Sequence, residues 1–352
     1  MNLAQIEIVG KATNDDSSSH AVSTNIIYLR DYLLYDFFSF LDVSDKTIAT
    51  YRRALRQLFL FFSKNNITIP TYDDILLFKK ELESRKCKSA TIALYLAAVR
   101  RFFTWCEQKN IFPNVASGVK APRQDRGHKR DFLGANQLKQ ILGAMERNTL
   151  EGKRDYAIMA LMSVGGLRTI EVSRANIEDI RVLGDFTVLY VQGKGKKDRT
   201  EFVKLPVPVL EAINEYLSER EKQVKCEKRK KYEQRERRNN MCDENDGNNK
   251  SDLTEPLFVS AGNRNKNGRL TTRTISGIAK RAMRNAGFDS KRLSAHSLRH
   301  SAVTLSLLAG ADLAEVQAFA RHSSITTTQI YSHAVDRINS MCEKSISDMI
   351  FE

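Results

Sequence analysis

Only five cysteines occur in the chain, Cys87, Cys106, Cys226, Cys242 and Cys342, and no two of them form a CxxC pair. Their number is odd and their spacings are wide. That argues against a disulfide framework and a structural zinc site, and for a reducing, cytoplasmic setting in which the thiols are packing or surface groups. No apolar run approaches the ~18 residues of a membrane-spanning helix. The opening MNLAQIEIVGKATNDD also lacks the basic start and long apolar stretch of a secretory leader. A phosphate loop GxxxxGK(S/T), a zinc-protease HExxH and a nucleophile elbow GxSxG are all missing, so nucleotide binding, metal ligation and acyl transfer have little support. Acidic residues are scarce as well, 42 against 56 Lys and Arg, for a net charge of +14. An excess of that size points to a polyanionic partner, nucleic acid first and an anionic membrane surface second.

What is present is globular. The 352 residues are 41% hydrophobic and 28% charged, which excludes a wholly disordered chain and suggests two domains. Residues 1–25 are polar and read as a flexible tail. From about residue 26 to 117 the pattern is helical. In KTIATYRRALRQLFLFF the apolar positions Ile48, Tyr51, Leu55, Leu58, Phe59 and Phe62 recur at three- and four-residue steps, the mark of an amphipathic helix, with Ser44 or Asp45 as its N-cap. Further helices are expected near 26–41, over about Tyr72–Arg85 and over about Ser89–Lys109, making a four-helix domain.

That region carries 16 basic and 12 acidic residues over 1–120. Its basic residues cluster as Arg52, Arg53 and Arg56, as Lys86 and Lys88, and as Arg100 and Arg101. Each cluster reads as a solvated helix face or as a phosphate contact. The segment 118–131, with Gly, Pro and basic residues including Lys120 and Arg123, reads as a linker able to track a phosphate backbone. Domain two is expected over 132–352. It begins with a helix in LGANQLKQILGAM and a buried helix in KRDYAIMALMSVGGLR that stops at Gly165 and Gly166. Two or three strands around DFTVLYVQ and TEFVKLPV follow, then a helix in PVLEAINEYLSEREKQ. Residues 222–253 are almost devoid of apolar side chains and read either as a solvated helical extension or as a disordered surface insertion.

Five short segments could carry chemistry. Arg168 and Glu171 lie in GGLRTIEV, just after two glycines that let backbone approach a ligand. Lys194 sits between glycines in the turn GKGKKDR. His296 and Arg299, in AHSLRHS, share a helix face at i, i+3, whereas His300, one residue on, is expected to point elsewhere. His322 and Tyr331 lie in ARHSSITTTQIYSH. Two arginines, a lysine, two histidines and a tyrosine suit transesterification at a phosphodiester. Paired guanidiniums clamp non-bridging oxygens and stabilise a pentacoordinate transition state. A phenol of pKa ~10 becomes a nucleophile with a base or a strong positive field beside it. A lysine can protonate the departing alkoxide.

In GGLRTIEV, GKGKKDR and AHSLRHSAVTLSLLAGADLAEVQAFARHSSITTTQIYSHA the chain resembles the tyrosine recombinases of the phage-integrase family, in the style of the Xer and simple transposon-encoded members. The resemblance covers about residues 30–350, and the order and spacing of its motifs are jointly very specific. It implies a mainly α fold with a small β-hairpin or sheet, in which a SAM-like core-binding domain and a mixed α+β catalytic domain form a C-shaped clamp on DNA. It implies that Arg168 and Arg299 bind the scissile phosphate, that Lys194 protonates the 5′-hydroxyl, and that His296 is the base toward Tyr331. His322 would hydrogen-bond the phosphate, Tyr331 would be the nucleophile, and Glu171 would hold the site together.

No ATP or metal is implied. The implied partners are double-stranded recombination sites, three further copies in a tetramer, and accessory DNA-bending or directionality factors; no membrane is implied. The location would be the cytoplasmic nucleoid. A C-terminal helix at about 336–350, with Ile338, Met341, Ile346, Met349 and Ile350, would pack on its own core or dock on a neighbouring protomer, the family's habit. The 25 residues ahead of the first helix are too few for an arm-binding domain. The alternatives are a type IB topoisomerase-like enzyme and a catalytically silent DNA-binding protein. One residue departs from the family pattern: Arg321 stands where members usually carry glycine, which places the local turn in question.

Overall fold

The computed structural model describes residues 32–123, 131–193, 198–237, 254–262, 265–338 and 340–351. The expected N-terminal tail, the turn with Lys194, residues 238–253 of the polar segment and Cys242 lie outside them. Two compact units result, Met1–Arg126 and Gly127–Glu352, and each has its own apolar core.

Among its described residues the first unit has four helices. Residues 32–40 form α1, followed by α2 (Asp45–Lys64), α3 (Tyr72–Ser84) and α4 (Ser89–Gln108). Ser44 caps α2, its hydroxyl accepting from the Thr47 N–H. At α3 the Thr71 N–H donates to Asp74 Oδ2 at 2.8 Å and the Asp74 N–H to Thr71 Oγ1 at 3.4 Å, a reciprocal cap. The stripe on α2 faces inward as its spacing requires: Leu55, Leu58 and Phe62 are buried, and Ile48, Tyr51 and Phe59 pack beside them. They meet Ile75, Phe78 and Leu82 of α3 and Leu96, Val99 and Phe102 of α4. Phe37 of α1 lies edge-on to Phe102, 5.3 Å between ring centres. Cys106 is one of these packing residues; burial pushes its thiol up to about 12.

Helices α2, α3 and α4 all end in one device. Asn66, Lys86 and Asn110 are left-handed, with φ of 54°, 54° and 53°. The next N–H, of Ile67, Cys87 or Ile111, then donates back to the carbonyl of Phe62, Leu82 or Cys106. This pattern satisfies helix-end carbonyls and turns an apolar residue into the core.

The second unit begins with α5 (Ala135–Gly143) and α6 (Leu150–Gly165). Helix α6 is apolar nearly all round and buried from Ala157 to Met162, so it is the centre of the core. It stops because Gly166 is left-handed, with φ 57°. A short helix α7 (Thr169–Arg174) and a three-stranded antiparallel sheet in the order β1-β2-β3 follow. The strands are β1 (Ile180–Leu183), β2 (Phe186–Val191) and β3 (Glu201–Lys204), with Leu189 opposite Val203.

Helix α8 (Val207–Arg237) runs beyond the expected stretch into the first part of the polar segment. Residues 221–226 along it are exposed, in line with a sequence that has little to bury. Helices α9 (Thr272–Asn285), α10 (Ala295–Leu308), α11 (Leu313–Ala320), α12 (Ile325–Ile338) and α13 (Cys342–Phe351) complete the unit.

The terminal helix differs from expectation. Residues 336–338 belong to α12, and α13 starts only at Cys342, where the Cys342 N–H donates to Ser340 Oγ at 3.4 Å. A serine just ahead of a helix offers its backbone a local partner and marks a start. Among the described residues no helix is long and apolar enough to cross a membrane.

Candidate active site

Five of the six residues expected to be catalytic, together with Glu171, lie in the described part of the second unit. Gly166, Leu167 and Arg168 join α6 to α7, and Arg168 is the N-cap of α7. Three residues on, the wholly buried Glu171 turns back to it. The Arg168 N–H donates to Glu171 Oε2 and its guanidinium to Oε1, both at 2.8 Å. The local reason is one half of a capping box, an acid at the third helical position accepting the N–H of the capping residue. Arg168 keeps about a quarter of its side chain exposed.

Arg299, on α10, is buried and held by two carbonyls, donating from Nη1 to Gly166 O at 2.6 Å and from Nη2 to Ala320 O. Both acceptors terminate helices, α6 and α11, where carbonyls lack intrahelical partners and carry partial negative charge. Burial, then the nearby Arg168 and Arg321, bring Arg299 down to about 9.

Arg321 ends α11 in the left-handed conformation, φ 52° and ψ 46°, which costs a residue with a Cβ about 1–2 kcal/mol. A left-handed turn of the kind glycine favours is therefore adopted here by an arginine, and it gives the same backbone pattern as the ends of α2 to α4. The His322 N–H donates to Gln317 O at 3.1 Å, which fixes where His322 leaves the helix. The arginine side chain folds inward, only 4% exposed, and donates to Glu171 Oε2 at 3.1 Å, Phe319 O at 2.8 Å and Gly166 O at 3.3 Å. Burial pushes the Glu171 carboxyl up. Arg321 and the N–H and guanidinium of Arg168 outweigh that push, so it lies below the ordinary carboxylate range.

His322 is half-buried, and its Nδ1 is 3.0 Å from the hydroxyl of the buried Thr328. Burial, with Arg299, Arg168 and Arg321 around it, brings it down to about 4, so the ring is neutral at pH 7. Tyr331, on α12, is buried beside two histidine rings. His322 stacks on it at 6.0 Å between ring centres and His300 lies at 5.1 Å. Burial pushes the Tyr331 phenol up, against the pull of Arg299 and Arg168.

His300 is the correction. It was expected to point away because it adjoins Arg299, but it is also four residues after His296, and i, i+4 shares a helix face as well as i, i+3 does. His296 itself is exposed in the first turn of α10. Sequence reading also missed Thr328, three residues before Tyr331 and one turn away on its helix, and it took Arg321 as a question about the turn rather than as a side chain of the site. Lys194 lies outside the described residues; the Gly193 carbonyl beside it accepts from Arg174 Nη1 at 3.2 Å.

In the first unit Arg52, Arg53 and Arg56 are exposed together on α2, with the Arg52 guanidinium 5.1 Å above the Phe38 ring. Lys86, Lys88, Arg101, Lys120 and Arg123 are exposed too. Arg100 is only partly exposed, and its Nε is buried without a partner. Among the described residues no three His, Cys, Asp or Glu side chains converge to hold a metal ion. What does converge is a set of three guanidiniums, one buried carboxylate and a neutral imidazole around a phenol, an arrangement fit to bind a phosphate diester against a tyrosine oxygen.

Comparison with known proteins places the chain. The profile described as Phage integrase family matches residues 131–337, and that of the phage integrase N-terminal SAM-like domain matches 34–110. The chain is 30% identical to tyrosine recombinase XerD of Oceanobacillus iheyensis over 313 residues, 86% of this chain and 94% of that one. It is 28% identical to tyrosine recombinase XerC of Syntrophus aciditrophicus over 334 residues, 90% and 97% of the two chains. Among solved structures, the XerH site-specific recombinase bound to palindromic difH substrate, a post-cleavage complex, superposes with a TM-score of 0.64 at 22% identity. That match covers 85% of this chain and 79% of the other.

Proposed function

That the chain belongs to the phage integrase family is the premise from which we propose that Tyr331 is its nucleophile, served by Arg168, Arg299, His322, His296, Lys194 and Glu171. The protein is a site-specific tyrosine recombinase, an enzyme that breaks and rejoins DNA. In the proposed step Tyr331 Oη attacks the scissile phosphorus, and the phosphorus–5′-oxygen bond breaks. A 3′-phosphotyrosyl bond forms, the phenolic proton passes to His296, and Lys194 supplies the proton of the leaving 5′-hydroxyl. Attack by the 5′-hydroxyl of another strand reverses the step and completes exchange. One phosphodiester replaces another through a covalent intermediate, so the sequence needs neither ATP nor a metal ion.

Arg168 and Arg299 take the non-bridging oxygens and stabilise the charge that develops on them. His322 acts neutral: with Nδ1 accepting from Thr328, its Nε2–H is the donor left for the phosphate. The single observation that carries this reading is the convergence on Tyr331 of Arg168, Arg299 and His322, drawn from three separate stretches of sequence. We further propose a division into a core-binding domain over 26–117, a basic linker over 118–131 and a catalytic domain over 132–352, with both domains holding one duplex in the nucleoid. The exposed Ile346, Met349, Ile350 and Phe351 of α13 suit docking on a neighbouring protomer in a tetramer on two DNA sites. The reaction serves integration or excision of a mobile element, inversion or resolution.

The test is covalent capture. The full chain and Tyr331→Phe are incubated with nicked suicide duplexes carrying candidate sites from the flanks of the gene, then run on denaturing gels. A protein–DNA adduct from the parent and none from Tyr331→Phe is the expected result. A duplex that the parent binds but never captures would overturn it.

A further inference from the structure

Arg321 is the residue that the reaction as written does not use, and it is placed to act on one that the reaction does use. Its backbone touches Arg168 directly, and its side chain reaches Arg168 through Glu171. Its carbonyl accepts from Arg168 Nη2 at 3.4 Å, and its guanidinium meets Glu171 Oε2, the same oxygen that accepts the Arg168 N–H. Glu171 is completely buried, so its charge must be matched from within. Were Arg168 its only cation, the pair would be neutral and little of the Arg168 charge would remain for a phosphate. With Arg321 as a second cation, Arg168, Glu171, Arg299 and Arg321 together carry a charge of about +2 rather than +1 by formal count. A glycine at 321 would suit the left-handed backbone better but would supply none of this.

We propose that Arg321 is a positioning residue of the cleavage site: it is the counter-ion of Glu171, and by that pairing it keeps the guanidinium of Arg168 aimed and charged for the scissile phosphate. The inference rests on the recombinase reading of Arg168 and Tyr331. It assigns a role to the position at which this chain departs from the family pattern. The contacts to Phe319 O and Gly166 O serve the same end, since they fix the arginine at its root.

The experiment is single-turnover cleavage of the suicide duplex by the full chain, with duplex affinity measured in parallel by gel shift. The variants are Arg321→Gln, Arg321→Lys, Arg321→Gly, Glu171→Gln and the pair Arg321→Gln with Glu171→Gln. Arg321→Gln is expected to cleave about 10²-fold more slowly, the cost of a misplaced catalytic group, with duplex affinity held. Arg321→Lys, which keeps the charge without the fork, should recover part of the rate.

The paired variant should be no slower than Arg321→Gln alone, because the carboxylate that would neutralise Arg168 is gone. Arg321→Gly asks the same question with the backbone relaxed, should Arg321→Gln melt low. A parental rate in Arg321→Gln or Arg321→Gly would overturn the proposal, as would a paired loss equal to the product of the single losses. No adduct from the parent on a bound duplex would overturn the recombinase reading and this inference with it. An adduct from the parent and an unchanged rate in Arg321→Gln would overturn this inference alone.

Discussion

The carbonyl oxygen of Gly166 and the guanidinium of Arg299 meet at 2.6 Å, across 133 residues of sequence. The oxygen is aimed there because Gly166 is left-handed, and there is little room for anything larger: a Cβ on Gly166 would stand 3.1 and 3.2 Å from two ring atoms of Phe319. Gly166→Ala therefore combines backbone strain with a shift of α11. It is expected to destabilise the chain by about 1–3 kcal/mol and to slow cleavage, both read from urea unfolding and single-turnover capture on one preparation. Parental stability with a parental rate would mean that the carbonyl can be moved without consequence.

His322 predicts a pH dependence of stability. Its folded value, about 4, lies below its ordinary 6.5, so between the two the unfolded chain binds a proton that the folded chain refuses. The contribution of a neutral His322 is complete above pH 6.5 and is lost as the pH falls from 6.5 to 4, after which it no longer changes. Urea titrations across pH 4–7 should show that slope, and His322→Gln should flatten it. An equal slope in the variant would assign the effect to other groups.

His300 contributes a ring face against Tyr331. His300→Phe keeps that contact and is expected to keep the melting temperature. His300→Ala removes it and should cost about 0.5–1.5 kcal/mol, with a further loss of cleavage rate as Tyr331 loosens. If the phenylalanine variant cleaves no better than the alanine one, the imidazole acts through its polar atoms rather than its face.

Arg53 and Arg56 stand exposed on α2 with no carboxylate partner among their described contacts. If each touches a phosphate, Arg53→Ala and Arg56→Ala should weaken binding to all duplexes alike. Each should also reduce the slope of log affinity against log salt by about 1. An unchanged salt slope would return that face to solvent.

Much of this was legible in the sequence, and the rest was hidden for identifiable reasons. The stripe from Ile48 to Phe62 is a local property of one helix against one core, so spacing alone predicts α2. Gly165 and Gly166 end α6 as glycines end helices, and Arg168 with Glu171 stands out directly after them. Arg321 was not legible, because its partners Glu171 and Gly166 lie 150 and 155 residues away and no pattern within a segment reports them. His300 was hidden by its neighbour: counting from Arg299 sends it off the face, whereas counting from His296 keeps it on. The start of α13 depends on a single serine hydroxyl, a signal too small to stand out among the polar residues around it.

The carbonyls that hold Arg299 and Arg321 belong to Gly166, Phe319 and Ala320, residues with which two helices end. The loose ends of α6 and α11 and the cations of the site therefore complete one another within the fold itself. The conformational entropy of fixing those long side chains is spent once, during folding, and is absent from every later encounter. A duplex reaching this surface meets donors already in place, whether or not it carries the right site.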